Sequence, residues 1–266
     1  MDYQIKELLL KAENICLQYD DKHILHNVNF EIHNITRPNL SQGQVVSLIG
    51  RSGIGKTQLF KLIAGLKRPT SGVITINADQ HPVVPGEVGI VPQNYILFSH
   101  RTIFENLKIG LDFAEKKSSA KEKEDIIKEY ASHFDLTDHL KKYPTQLSGG
   151  QRQRVSIIQQ VLTGNKFILL DEPFSGLDVL MVDKVINLLL KVSTLHELNT
   201  LIIVSHDIEN SLAISDTAFI LAKNDANEGA TIVETIDLLS FGFAWDPAIR
   251  TNPAFQELVA KIKYKI

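Results

Sequence analysis

Gly50-Arg51-Ser52-Gly53-Ile54-Gly55-Lys56-Thr57 is a glycine-rich turn that closes on a lysine and a hydroxyl. The pattern G-x-x-x-x-G-K-T is that of a phosphate-cradling P-loop. Glycines let such a backbone wrap tightly, so that successive N–H groups point inward at phosphate oxygens. The helix that follows presents its N-terminus, which favours anions. In this arrangement Lys56 reaches the β- and γ-phosphates and the Thr57 hydroxyl ligates Mg²⁺. The flanks agree. Gln44 to Ile49 is a short apolar strand running into the loop, and Gly55 to Leu66 reads as the helix after it, with Gln58 in its first turn.

Outward from the loop the chain alternates between strand and helix. Upstream, Leu8 to Tyr19 and Val28 to Ile32 read as strands joined by a turn at Asp20-Asp21-Lys22. Asn34 to Ser41 is a polar connection expected to lengthen a surface hairpin. Downstream, Val73 to Ile76 and Val88 to Val91 are β-branched strands. From about Asn94 to Asn165 strand signals vanish, and Ser118 to His133 and Gln151 to Thr163 are helical. The charge run Lys121-Glu122-Lys123-Glu124-Asp125 belongs to a solvated helix face. Alternation resumes with strands at Phe167 to Leu170, Thr200 to Val204 and Thr217 to Leu221, and helices at Val179 to Val192 and Ile208 to Ala213. Continuous apolar strands suit a sheet buried on both faces. The expected architecture is an α/β P-loop NTPase core with a parallel sheet, an N-terminal antiparallel β-subdomain and an inserted α-helical subdomain. Its parts are a nucleotide-binding core at about 1–93 and 166–240, helices at about 94–165 and a tail at 241–266. The tail includes Trp245 and a short basic helix from Phe255 to Ile266.

Two further segments carry chemistry. Asp171 and Glu172 follow a buried strand, and a carboxylate at the carboxyl end of a parallel strand faces the ligand crevice. Asp171 suits the Mg²⁺ sphere, and Glu172 is placed to polarise an attacking water. Leu147-Ser148-Gly149-Gly150-Gln151 precedes a helix; Ser148 can cap it and the glycines expose its N–H groups, which makes a second anion site.

The order P-loop, Gln93, Leu-Ser-Gly-Gly-Gln, Asp-Glu, Ser175-Gly176-Leu177-Asp178 and His206 resembles an ATP-binding cassette (ABC) ATPase over roughly Leu8 to Leu239. The resemblance implies two cassettes meeting head to tail. Each ATP, with its Mg²⁺, is clasped between one P-loop, Gly50 to Thr57, and the partner's Ser148, Gly149, Gly150 and Gln151. It also implies that Tyr19 stacks on adenine, and that Gln93 senses Mg²⁺, the attacking water and the transport partner. Asp178 and its loop link the two sites, and His206 is the switch histidine at the γ-phosphate. Tyr95 to Leu107 resembles the stretch after the glutamine in bacterial importer subunits.

Composition narrows the class. The chain has 266 residues, 44% hydrophobic and 22% charged, ordinary values for a globular protein. A net charge of −3 leaves no electrostatic footprint for nucleic acid. Cys16 is the single cysteine and cannot form an internal disulfide, which fits a reducing compartment. The apolar runs fall far short of the roughly 20 residues of a spanning helix, so if the protein serves a membrane process its membrane part must lie on another chain. The remaining histidines, His23 and His26 among them, form no metal-ligand set. The resemblance therefore implies the ATP-hydrolysing subunit of a bacterial importer of a small polar solute, at the cytoplasmic face of the cell membrane. Its expected partners are transmembrane permease subunits, a second cassette and a solute-binding protein. An exporter or lipid-trafficking cassette, or a soluble ABC ATPase, stays open as an alternative.

Overall fold

The computed structural model describes residues 3–36, 43–77, 79–114, 118–194, 200–224, 229–244, 246 and 248–266, with positions 179 and 180 described by backbone alone. Most of the Asn34 to Ser41 connection, and Trp245, lie outside the described residues. The chain runs β1 (Gln4–Tyr19), β2 (Lys22–Thr36), β3 (Gln44–Ile49), α1 (Lys56–Ile63), β4 (Ser71–Ile76), β5 (His81–Pro82) and β6 (Val88–Val91). It continues through α2 (Ile103–Phe113), α3 (Ala120–His133), α4 (Gly149–Leu162), β7 (Phe167–Asp171), α5 (Val179–Ser193), β8 (Thr200–Ser205) and α6 (Ile208–Ile214). Last come β9 (Thr217–Lys223), β10 (Ala230–Asp237) and α7 (Pro253–Lys265).

All described strands join one sheet in the order β5-β4-β1-β2-β10-β9-β3-β8-β7-β6. The expected antiparallel N-terminal strands are present, but longer than their apolar stretches. β1 and β2 pair from Gln4–Thr36 to Tyr19–Lys22 through five register shifts. β10 has no counterpart in the sequence reading. It ties the two halves of the sheet, antiparallel to β9 and parallel to β2 at Ala230–Leu25.

β9, β3, β8, β7 and β6 are mutually parallel. β3 and β8 are buried along their whole length, as their unbroken apolar runs require. Their carboxyl ends therefore lie at one edge, where ligands bind in open α/β sheets. The start of β3 is pinned by Asp216, which is fully buried: its N–H donates to Val45 O at 2.8 Å and its carboxylate accepts from Val45 N–H at 2.8 Å.

Between β6 and β7 the described chain is helical. α2, α3 and α4 each start with a capping box, from Thr102/Glu105, Ser119/Glu122 and Ser148/Gln151. α2 and α4 approach so closely that a Cβ on Gly110 would stand 2.4 Å from Gln159 O. Helix propensity alone makes Gly→Ala stabilising by about 1 kcal/mol in a helix interior. Contact with a rigid backbone oxygen reverses the sign. Gly110→Ala should destabilise the protein by about 1–3 kcal/mol in chemical denaturation, and a stabilised variant would show that the helices stand farther apart.

Candidate functional site

The loop after β3 bends where glycine permits it. Gly53 and Gly55 have φ of 79° and 117°, in the left-handed region that side chains disfavour. Gly55 caps α1 without a side-chain hydrogen bond, so the first N–H groups of the helix are left to other acceptors. Gly50 N–H donates to Ser205 O at 3.3 Å, which fastens the loop to the end of β8. Arg51, Ser52, Gly53 and Thr57 are exposed, while Ile54 and Gln58 are half-buried. Lys56 is buried at 7% exposure. Its ammonium donates to Gly50 O at 2.8 Å and Arg51 O at 3.1 Å, and stands 3.4 Å from Glu172 Oε1.

Glu172 has φ of 50°, an uncommon and strained conformation for a non-glycine residue. The turn is held by its N–H, which donates to Val204 O at 2.8 Å. Its Oε2 accepts from Ser205 Oγ at 3.1 Å and His206 N–H at 3.2 Å, and lies 2.8 Å from His206 Nδ1. Burial alone would push this carboxyl up. The hydrogen bonds from the His206 ring and N–H, with the Lys56 charge, outweigh it and hold Glu172 below the ordinary carboxylate value. Asp171 behaves in the opposite way. Burial and the neighbouring Glu172 charge raise it, against the pull of Lys56 and Lys61. Among the described residues its carboxylate takes no hydrogen bond or ion pair, so it can ligate a cation.

Lys56, Glu172 and His206 thus meet at one carboxylate. Other expected site residues lie outside that cluster. Tyr19 is 43% exposed; its hydroxyl donates to Gln58 Oε1 at 2.7 Å, and Lys67 Nζ lies 3.8 Å above the ring centre. Gln93 donates to Ser175 Oγ at 3.2 Å. Asp178 caps α5 by accepting from Met181 N–H at 2.9 Å. The hydrogen bonds of Ser148 and Gln151 stay within the helical region: Ser148 Oγ accepts from Gln151 N–H, and Gln151 Nε2 lies 3.0 Å from His139 Nε2. None reaches 50–57 among the described residues. Gly149 lies in open space, whereas a Cβ on Gly150 would meet Met181 of α5 at 2.9 Å.

Several supporting residues escape sequence reasoning. Gln153, nearly fully buried, donates to Pro173 O at 3.1 Å and ties α4 to the loop after β7. Asn106, also buried, bonds Phe98, Arg101 and Thr102 and so shapes the segment after Gln93. Each bonds backbone carbonyls, which carry no sequence signal; a lone amide on the apolar face of its helix is the one available clue. Lys67 is marked only by its spacing from α1. Among the described residues no group of three or more His, Cys, Asp or Glu could hold a metal ion.

The model of the family described as "ABC transporter" matches residues 33–175. A sulfate/thiosulfate import ATP-binding protein of Agrobacterium fabrum is 35% identical over 86% of this chain and 65% of its own length. A spermidine/putrescine import ATP-binding protein of Spiroplasma citri is 36% identical over 93% of this chain and 69% of its own. The chain therefore spans about two thirds of the length of these relatives. The ATP-binding cassette MJ0796, solved as a dimer in a post-hydrolysis state with ADP and Pi, superposes with a TM-score of 0.69 at 26% identity. That match covers 86% of this chain and 99% of the other. Among the described residues no helix is long and apolar enough to cross a membrane.

The Glu172 cluster has a signature in acid. A carboxyl held below its unfolded value stabilises the fold above that value, and the contribution is lost as pH falls through the folded one. Replacing Glu172 by Gln removes this part of the acid dependence. Between about pH 5 and pH 3, from the ordinary carboxylate value downward, the thermal midpoint of Glu172→Gln should fall less than that of the parent. An equal fall would mean the three-residue cluster is not formed in solution.

Proposed function

The chain belongs to the ABC transporter family, and on that premise we propose that it is the ATP-hydrolysing subunit of a bacterial importer. The observation that carries the reading is the meeting of the P-loop lysine, the strand-end glutamate and the histidine at one carboxylate. The import ATP-binding relatives support the direction of transport. Their named solutes, sulfate and spermidine, have opposite charge, so a cassette of this kind does not itself select the solute. We assign that choice to permease and solute-binding chains, with a small polar solute as cargo. The cassette then lies at the cytoplasmic face of the membrane, held there by its permease.

In this reading the backbone of Gly50 to Thr57 cradles the β- and γ-phosphates, and Lys56 exchanges its contacts with Gly50 and Arg51 for phosphate oxygens. Thr57 and Asp171 would hold Mg²⁺, which would neutralise charge on the phosphate oxygens when bound. Glu172, kept as an anion, accepts a hydrogen bond from the attacking water and orients it in line with the γ-phosphorus. His206 sits against Glu172, within reach of the γ-phosphate, and Gln93 would supply a further oxygen toward Mg²⁺ and the attacking water. Water adds to phosphorus, the bond to the β-phosphate oxygen breaks, and ADP and phosphate leave. Tyr19 is the adenine platform, beside Gln58 in α1. Ser148 to Gln151, which make no hydrogen bond to their own P-loop among the described residues, serve the nucleotide of a second copy, with Asp178 and its loop linking the two sites.

Removing the group that orients water spares the phosphate cradle. Glu172→Gln should abolish turnover while ATP affinity stays within a few-fold. Lys56→Ala should lose both binding and turnover. Near-normal ATPase activity in Glu172→Gln would reject its assignment as the group that orients the water. Binding and hydrolysis unchanged in Lys56→Ala would reject the P-loop.

Stacking on a base contributes about 1–3 kcal/mol in nucleic-acid sites, and one half-exposed ring belongs at the low end. Tyr19→Ala should therefore weaken ATP binding several-fold, and Tyr19→Trp should preserve it. Equal affinities for all three proteins would remove Tyr19 from the site.

A further inference from the structure

The tail after β10 is a strap rather than a loose end. Its first turn is fixed to α5 by Arg250, whose guanidinium donates to Asp183 at 2.6 Å. Gln256 ties the strap to α6 through Glu209 at 3.2 Å. α7 then buries Phe255, Val259 and Ile262 almost completely against α6 and the sheet. Lys261 and Lys265 both reach Glu234 of β10, at 3.4 and 2.8 Å. These anchors carry the tip of α7 to the P-loop itself. Arg51 and Ile54 of the loop, Lys223 at the end of β9, and Tyr264 and Lys265 of the tip line one open pocket of about 290 Å³.

Tyr264 is out of place there for a chain that works alone. It is 95% exposed, the most open large hydrophobic side chain among the described residues. It stands on a helix whose opposite face is packed through Phe255, Val259 and Ile262, so the backbone that carries it is anchored. Aromatic residues presented in this way are enriched at interface hot spots, and tyrosine is among the commonest. Beside it, Arg51 and Lys223 have no acidic partner among the described residues.

We propose that the α7 tip, through Tyr264, is part of the surface on which a second copy of this chain docks when nucleotide is bound. This rests on the composite-site reading above, in which the partner copy closes over the P-loop. A surface that shares Arg51 and Ile54 with that loop is continuous with the closing face. The unpaired cations select an acidic or carbonyl-rich segment opposite them. Tyr264 supplies apolar area at the rim, where it excludes water from the loop. The tail thereby adds to the lid without touching the phosphates.

The test uses the full chain carrying Glu172→Gln, so that ATP is bound and retained. Its monomer–dimer equilibrium with Mg-ATP is measured by sedimentation. Adding Tyr264→Ala should weaken the dimer about tenfold or more, because the contact occurs twice per symmetric pair. Tyr264→Phe should retain most of the affinity. ATP affinity at concentrations where the protein is monomeric, and the thermal midpoint, should be unchanged, since an exposed ring packs on nothing in the single chain. A dimer equally strong with Ala at 264 overturns the role of the tip and leaves the composite site standing. Absence of any ATP-dependent dimer in the Glu172→Gln protein overturns the composite site, and the proposal with it.

Discussion

The register of β8 against its two parallel neighbours decides where the chemistry of this protein sits. β8 pairs Ser205 with Ile49 of β3 on one side and Val204 with Asp171 of β7 on the other. The next residues are Gly50, His206 and Glu172, so three loops leave the sheet within a residue of one another. A slip of one position would send every side chain of a strand to the opposite face. The slip is opposed by the apolar side chains of β3, β7 and β8, which are packed on both sides of the sheet. The core therefore does more than stabilise. It fixes, to within one residue, the meeting of Lys56, Glu172 and His206.

That meeting requires a local conformation the backbone does not favour. Glu172 has a left-handed φ, a strain of order 1–3 kcal/mol for such residues. Its N–H bond to Val204 and the two donors of His206 compensate from within the same loop pair. The electrostatics follow from the geometry. Two adjacent carboxyls, both half-buried, are driven apart in acidity because only Glu172 finds donors. One is held as a firm anion beside the lysine, and the other is shifted above the ordinary carboxylate value by burial and by its neighbour's charge. Adjacent groups with divergent proton affinity mark a division of labour.

The parts of this site legible in the sequence were those whose chemistry is local in the chain. A P-loop is one turn, a capping box spans four residues, and Asp171 and Glu172 end a single apolar strand. The parallel core was legible for the same reason, since its strands are unbroken apolar runs. What escaped depends on distant backbone. β10 breaks its alternation at Ile232-Val233 and Glu234-Thr235, where its register against β9 shifts, and its partner β2 lies some two hundred positions upstream; nothing in Ala230 to Asp237 names that partner. β1 and β2 outran their apolar segments because bulges break the alternation by which a strand is read. Gln153 and Asn106 bond carbonyl oxygens, which every residue type possesses.

The same distant contacts explain how a helical insertion can act in register with the phosphate loop. α4 is tied to the loop after β7 by Gln153 bonding Pro173 O, and its first turn rests on Met181 of α5. Gln93, leaving β6, bonds Ser175 in the same loop. All three contacts fall within ten residues after Glu172. A displacement of this stretch thus moves the partner of α4, the partner of Gln93 and the cap of α5 together, while the P-loop stays fixed to β8 through Gly50. The Glu172 carboxylate lies at the head of that stretch and the Asp178 cap at its foot. The Ser148 turn is therefore joined to the strand-end loop by direct packing and hydrogen bonds that do not run through the buried sheet.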